Sequence, residues 1–181
     1  MIAQPERKTP SVDSTDELRA FREAINEQRT PLPRGNEDAN LVVRGSDIPW
    51  YSPKGTNPSL LGPVLGLPIK SFEIFMQEMP PGGTSDMQQH HHEAVHCVLS
   101  GNGYSEIGDK SVEWAAGDFI SIPPMEWHRH YNSSSTEPVR MLLVENSKLL
   151  EALGLNYRAS AGLVTYEQHQ TQLAENAQSQ T

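Results

Sequence analysis

Short strand-like segments separated by proline and glycine follow one another from Leu41 onward, and this pattern constrains the fold more than any other feature. The segments are rich in valine, isoleucine and aromatic residues, as β-strands are, and turn-forming residues lie between them. Such a succession is typical of an antiparallel sandwich or barrel. The predicted strand segments are LVVRG (41–45), KSFEIFMQEM (70–79), AVHCVLSGNGYSEIG (94–108), KSVEW (110–114), DFISIP (118–123) and VRMLLVEN (139–146).

The regions outside these segments have a different composition. A helix is predicted at about 14–29, because Ser14 and Glu17 have the spacing of a capping box and Pro31 ends the pattern. Residues 48–68 are rich in proline and glycine and are predicted to form a long ordered loop. SKLLEALGL (147–155) predicts a short closing helix. The predicted organisation is an N-terminal arm (1–40), a β-barrel (41–155, motif core 70–146) and a polar, mobile C-terminal tail (156–181).

Length, charge and cysteine content narrow the class of protein. A chain of 181 residues predicts one domain with extensions. The net charge of −9 and the scattered placement of the 14 basic residues argue against a nucleic-acid partner. The sequence has no apolar stretch of about 18 residues, so no membrane span is predicted. Cys97 is the only cysteine, which excludes an intramolecular disulfide and predicts a cytoplasmic location.

Histidines are concentrated in two groups in the middle of the chain. His90, His92 and His96 have the same parity, and His128 and His130 share one face of a later strand, because side chains on a strand alternate between its faces. Inward-facing neutral imidazoles from two strands can converge on one divalent metal ion. His91 has the wrong parity and His169 lies in the polar tail, so both are predicted to be solvated.

The region around His128 resembles the second sequence motif of the cupins. The match runs through Gly117, Pro123, His128 and Asn132, and Met125 stands where the motif has its inner glycine. The resemblance implies a cupin fold, a jelly-roll or double-stranded β-helix barrel, here with an N-terminal helix and a short C-terminal helix. It also implies a homodimer or a higher homo-oligomer.

The first cupin motif, which supplies two histidines and a glutamate as metal ligands, fits in two registers. Anchored on Gly101, its three positions fall on Gln88, His90 and Ala94. Anchored on the histidine pair spaced by one residue, they fall on His90, His92 and His96. Both registers stay open. The predicted metal ligands are His90, His92 and His128, with His96 as a fourth, and no carboxylate ligand is expected because Glu93 has the opposite parity.

The histidine-only ligand set is similar to that of dioxygenase cupins of the gentisate dioxygenase type. The resemblance implies a divalent metal, with iron(II) as first choice and zinc, nickel, manganese or copper as alternatives. Such an ion can chelate an electron-rich oxygen pair of a substrate. The predicted function is a non-haem metal-dependent dioxygenase acting on a small hydroxylated aromatic or a β-dicarbonyl or enol compound. The alternatives are a metal-dependent isomerase, lyase or cyclase of a small polar molecule, a ligand sensor and a non-catalytic barrel.

Residues with acid–base or recognition chemistry complete the predicted site. His96 and His130 are the candidates for proton transfer if they do not bind the metal. The predicted substrate pocket contains Gln88, Tyr104, Trp127 and Arg140, the last as a guanidinium for an anionic substrate. The partner expected at this site is a small molecule.

Overall fold

The computed structural model describes residues 14–29, 40–52 and 57–179. Its helices are α1 (Ser14–Arg29), α2 (Ser147–Ala152) and α3 (Tyr166–Gln178), with a 3-10 turn at Gly45–Asp47. Its strands are β1 (Leu60–Pro63), β2 (Glu73–Met79), β3 (Met87–His90), β4 (Ala94–Ser100), β5 (Asn102–Ile107), β6 (Lys110–Ala115), β7 (Phe119–Ile122), β8 (His128–Asn132), β9 (Val139–Glu145) and β10 (Arg158–Gly162). No helix within these ranges is long and apolar enough to cross a membrane.

The strands form two five-stranded antiparallel sheets. One has the order β1-β2-β9-β4-β7 and the other β10-β3-β8-β5-β6. The chain passes repeatedly from one sheet to the other, so most neighbouring strands within a sheet are not consecutive in sequence; β1 with β2 and β5 with β6 are the exceptions. This is the arrangement of a jelly roll, and the predicted mainly β barrel with helices at both ends is confirmed.

Alternating side chains fill the space between the sheets. On β9, Val139, Met141 and Leu143 are buried, whereas the residues between them are only partly buried. The N-terminal helix adds Phe21 and Ile25 to the same core. The ring of Phe21 lies 5.6 Å from that of Tyr51, and burying such a side chain contributes about 2–3 kcal/mol. The predicted helix at 14–29 is therefore an integral part of the barrel's packing.

Two predictions near the start of the barrel are wrong. LVVRG (41–45) forms no strand, and Leu41 and Val42 are largely exposed. The predicted loop at 48–68 contains β1, which pairs with β2 and forms a bridge between Leu61 and Tyr51. Both errors have one cause, since local composition does not show which segment finds a partner strand.

The closing helix α2 is present but is held by polar contacts. Leu149 and Leu153 are exposed, whereas Ser147 and Lys148 are buried. The Ser147 hydroxyl donates to the Glu73 carboxylate, and Lys148 Nζ donates to the carbonyl oxygen of Ile69 at 2.8 Å. These bonds attach α2 to β2 and to the loop that precedes it.

The C-terminal segment differs from the predicted mobile tail at 156–181. Strand β10 pairs with β3 at the edge of the second sheet, and α3 follows it. Thr165 begins α3 with a reciprocal capping box, in which its hydroxyl accepts from the backbone N–H of Gln168. A polar segment can add a strand in this way because edge pairing requires backbone hydrogen bonds rather than large apolar side chains.

Candidate metal and substrate site

Five histidines lie inside the barrel. His90 ends β3, His92 follows in the turn to β4, His96 is on β4, and His128 and His130 are on β8; each is at most 2% exposed. The ring centroids of His90 and His128 are 4.7 Å apart, and those of His96 and His130 are 4.8 Å apart. The parity argument therefore identified histidines that the fold brings together from both sheets.

Backbone contacts fix the proton positions on two of these rings. His90 Nδ1 lies 2.8 Å from the carbonyl oxygen of His92, and His128 Nδ1 lies 2.9 Å from that of Glu126. A carbonyl oxygen only accepts, so in the neutral rings Nδ1 carries the proton and Nε2 carries the lone pair. His128 Nε2 is buried without a hydrogen-bond partner in the described part of the chain. Nε2 of each ring can therefore bind a metal ion or accept a proton.

A buried carboxylate that the sequence analysis did not consider, Glu145, also lies beside the histidines. It ends β9 beside Ala94 of β4, and its Oε2 lies 3.0 Å from His92 Nε2. The contact does not have hydrogen-bond geometry, since His92 Nε2 has no hydrogen-bond partner among the described residues. Burial would raise the pKa of Glu145, but His92 and the charge of Arg158 lower it to about 2. The carboxylate is therefore ionised at neutral pH.

The second histidine pair is held by groups that sequence reasoning missed. His130 Nδ1 lies 2.7 Å from Ser105 Oγ, which accepts a 2.8 Å hydrogen bond from Trp114 Nε1. Burial lowers the pKa of His96 to about 4 and that of His130 well below its usual value. Both imidazoles are neutral at pH 7 and can accept a proton. Only the inward parity of Ser105 on β5 could have indicated its place.

The donor chemistry of the site fits a divalent metal, although the side chains are not arranged as a finished metal site. Within the described ranges, no three His, Cys, Asp or Glu side chains form a metal-binding group. The rings of His90 and His92 stack face to face, 3.6 Å apart and 7° from parallel, so their in-plane lone pairs cannot both point at one ion. A rotation of one ring would be needed. The Nε2 atoms of His92 and His128, which make no hydrogen bond within the described ranges, and the adjacent carboxylate are nevertheless the donors that such an ion uses.

Of the four predicted pocket residues, the structure places Gln88 alone beside the histidines. Gln88 is buried and lies directly opposite His128 on the neighbouring strand. Tyr104 stacks on Tyr131, 4.5 Å away, on the face opposite Ser105. Arg140 forms an ion pair with Glu78, with 2.7 Å between Nε and Oε2. These last two positions have the wrong strand parity to face the interior.

Trp127 and His169 together form a contact outside the histidine cluster. Their ring centroids are 4.0 Å apart, where α3 packs against the end of β8. His169 is only 5% exposed, so the prediction that it is solvated is wrong. His91 is exposed as predicted, and its Nδ1 lies 2.7 Å from the carbonyl oxygen of Leu155.

A surface cavity of about 550 Å³ lies between β6 and β7, the edge strands of the two sheets. Its lining includes Trp114 and Ile120 and contains no histidine. None of the five buried histidines therefore lines this cavity.

Comparison with known proteins shows which proteins the barrel is similar to. Residues 75–145 match the family model described as the cupin domain. The chain is 28% identical over 142 residues to 1-hydroxy-2-naphthoate 1,2-dioxygenase of a Nocardioides species, covering 77% of this chain and 37% of that protein. It is 34% identical over 84 residues to gentisate 1,2-dioxygenase of a Haloferax species, covering 44% of this chain and 21% of that protein. The chain thus spans less than half of either relative.

A third relative belongs to another reaction class. It is 1-methylthio-D-xylulose 5-phosphate methylsulfurylase of Rhodospirillum rubrum, 28% identical over 110 residues, covering 58% of this chain and 68% of that protein. Among solved structures, a cupin-like protein of Thermotoga maritima matches with a TM-score of 0.53 at 18% identity, covering 73% of this chain and 96% of that one. A point mutant of salicylate 1,2-dioxygenase of Pseudoaminobacter salicylatoxidans matches with a TM-score of 0.52 at 11% identity, covering 83% and 38%. These structures agree on the fold.

Proposed function

We propose, from the match of residues 75–145 to the cupin domain family, that the protein is a metal-dependent dioxygenase acting on a small hydroxylated aromatic or enol compound. The observation that carries the proposal is the buried cluster of neutral imidazoles beside the ionised carboxylate of Glu145. The names of the two dioxygenase relatives support the same reaction class.

The proposed metal ligands are His90, His92 and His128, with His96 as a further donor and Glu145 as the balancing charge. A bound iron(II) ion would supply Lewis acidity and one-electron chemistry with dioxygen. The residues around it supply positioning. The backbone carbonyls at His92 and Glu126 orient the rings of His90 and His128, so that their Nε2 lone pairs need no further selection of tautomer.

Proton transfer is assigned to His130. Ser105 Oγ can accept hydrogen bonds from Trp114 Nε1 and from His130 Nδ1 at once, since a hydroxyl has two lone pairs. This tautomer leaves His130 Nε2, which is buried and has no partner among the described residues, as the acceptor for a substrate hydroxyl proton. His96, whose ring lies 4.8 Å away, is the alternative acceptor.

The proposal is tested by oxygen uptake. Protein purified without a histidine tag is loaded anaerobically with iron(II) and mixed with 2,5-dihydroxybenzoate, 1-hydroxy-2-naphthoate, 2-hydroxybenzoate or a β-diketone in an oxygen electrode. We expect stoichiometric oxygen consumption with at least one compound, and its loss in His128→Ala, with a β-rich circular dichroism spectrum retained. Iron-loaded protein that takes up no oxygen with any of them would refute the dioxygenase assignment.

A metal-dependent isomerase or lyase is the second candidate. It is favoured by the relative that acts on a sugar phosphate and by the neutral pair His96 and His130, which could move a proton between carbons of a substrate. The discriminating result would be turnover of a phosphorylated ketose by zinc-, nickel- or manganese-loaded protein under strictly anaerobic conditions, with no oxygen uptake by the iron-loaded form.

A further inference from the structure

The groove between β6 and β7 has a free strand edge on each side. β6 pairs with β5 and β7 pairs with β4, and in the described part of the chain neither strand has a partner on its other side. Only residues 116–118 separate the two strands, so the groove is closed by this turn at one end. Outward-pointing N–H and C=O groups of an edge strand can pair with another extended chain.

The groove combines apolar side chains with exposed carboxylates. Trp114 and Ile120 are buried in its floor, whereas Val112 is 37% exposed. The charged side chains of its lining are four carboxylates and one ammonium group, those of Asp109, Glu113, Asp118, Glu126 and Lys110. Among the described residues, none of the four carboxylates forms an ion pair. The groove therefore carries an excess negative charge beside apolar surface.

The register of β6 determines what a chain added beside it would meet. Val112 lies opposite Ser105, whose hydroxyl contacts His130 in the interior, so Val112 is on the inner face. Glu113 lies opposite Tyr104 and is on the outer face. Side chains of adjacent strands that share a face contact each other. A strand added beside β6 would thus place alternate residues next to apolar groups and next to a carboxylate.

We propose that this groove binds an extended segment of another protein, in which basic and apolar residues alternate, as an additional strand beside β6. The remainder of this chain does not offer such a segment. Residues 1–13 contain two basic and two acidic side chains, and residues 30–39 contain one basic and two acidic side chains. A second copy would bring a net charge of −9 to an acidic rim. Because the lining contains no histidine, the inference goes beyond the proposed function and does not rest on it.

The test uses synthetic peptides and the full-length protein. A fluorescein-labelled hexapeptide of alternating lysine and valine, amidated at its C-terminus, is titrated with the protein and followed by fluorescence anisotropy. We expect a dissociation constant of about 100 µM or lower at low salt. The affinity should fall roughly tenfold between about 0.05 M and about 0.5 M sodium chloride, because the carboxylates are exposed. The matching peptide of alternating glutamate and valine should not bind.

Backbone pairing and rim charge are tested separately. Only alternate N–H groups of an added strand face β6, so N-methylation of one of the two sets, the lysine amides or the valine amides, should abolish binding. Glu113→Lys reverses an exposed charge on the edge strand and should weaken binding about tenfold. Glu23→Lys, the matched control, reverses a carboxylate that is 69% exposed on α1, which contacts β1 at the sheet edge opposite β7. This variant should bind the peptide as the unaltered protein does.

The proposal is overturned by no binding of the lysine–valine peptide, by equal binding of the glutamate–valine peptide, or by binding that neither set of N-methyl groups affects. Equal losses in Glu113→Lys and Glu23→Lys would also overturn it. Sedimentation velocity tests the other occupant, since a dimer that Glu113→Lys abolishes would assign the groove to a second copy. These measurements need neither iron nor dioxygen, so their outcome is independent of the dioxygenase assignment.

Discussion

Glu145 brings a carboxylate to the histidines from β9, the strand beside the one that carries the glutamate in the first cupin motif. Its position opposite Ala94 puts the two side chains on one face of the sheet, about 5 Å apart. A carboxylate absent from β4 can therefore be supplied from β9. The negative charge of Glu145 would also balance part of the double positive charge of a bound metal ion.

Replacing Glu145 by glutamine tests this role at the residue scale. Glu145→Gln keeps the side-chain shape and removes the charge, so the affinity for iron(II) should fall about ten- to a hundredfold. The measurement is competition with a chelator of known affinity, monitored alongside circular dichroism. Glu78→Gln changes another buried carboxylate, paired with Arg140 away from the histidines, and should leave iron affinity unchanged. Equal iron affinity in Glu145→Gln and the unaltered protein would contradict the role.

Strand parity predicted some site residues and could not predict others. The inward positions of His128 and His130 on β8 follow from the period of two along one strand, which is local. His90 and His96 lie on two strands joined by the turn that carries His92, and their shared parity is kept across that turn. The places of Glu145 and Arg158 depend on which strands pair and in what register, which is not local. Tyr104 and Arg140 have the chemistry of pocket residues, but both face away from the histidines.

At the scale of elements, the turn before β8 holds the two halves of the histidine site together. Met125 donates its N–H to the carbonyl oxygen of His90 at 2.8 Å, and its own carbonyl accepts from Gln89. Its φ of 63° is in the left-handed region, which explains why cupins have glycine at this position. The motif match therefore marked a position at which the backbone adopts the left-handed conformation.

Met125→Gly should stabilise the protein. The left-handed conformation costs a non-glycine residue about 1–2 kcal/mol, while glycine costs roughly 0.5–1 kcal/mol in unfolded-chain entropy. Met125 is 41% exposed, so little apolar burial is lost. The free energy of unfolding in urea should rise by up to about 1 kcal/mol, whereas Met125→Ala, which keeps the strain, should lower it. A loss of stability in the glycine variant greater than in the alanine variant would contradict this explanation.

Two elements that the sequence pattern did not predict, β1 and β10, lie at sheet edges. β10 has the sequence RASAG, without a large apolar residue, and is defined by its pairing with β3. β1 lies in a region whose composition indicates a loop. Central strands such as β4 and β9 were predictable because burial of one face imposes an alternation of apolar and polar residues. An edge strand such as β1 or β10 forms backbone hydrogen bonds on one side only and can do so with little burial of side chains.

Across the whole molecule, the barrel interior is divided into an apolar and a polar end. Along the pairing of β4 with β9, Val98 faces Met141 at one end and Ala94 faces Glu145 at the other. Met79 and Val139 continue the apolar end, and both are fully buried. The apolar end supplies the hydrophobic stabilisation that offsets the cost of burying histidines and a carboxylate at the other.

This polar end predicts that the metal-free protein loses stability in mild acid. Burial lowers the pKa of His90 and His96 to about 4, below the value of about 6.5 in the unfolded chain. Below about pH 6.5 the unfolded state binds protons that the folded state does not, so the free energy of unfolding falls as pH decreases towards 4. Each such histidine contributes a slope of about 1.4 kcal/mol per pH unit in this window.

Urea unfolding of chelator-treated protein at several pH values between about 8 and 5 measures this slope. His96→Gln removes one of the buried titrating groups, so it should flatten the dependence below about pH 6.5. His91→Gln removes an exposed histidine and should leave the dependence unchanged. The same free energy of unfolding at pH 7 and pH 5 in the metal-free protein would show that the interior histidines accept protons without unfolding. In that case the barrel would not hold them as the neutral donors that metal binding and proton transfer both require.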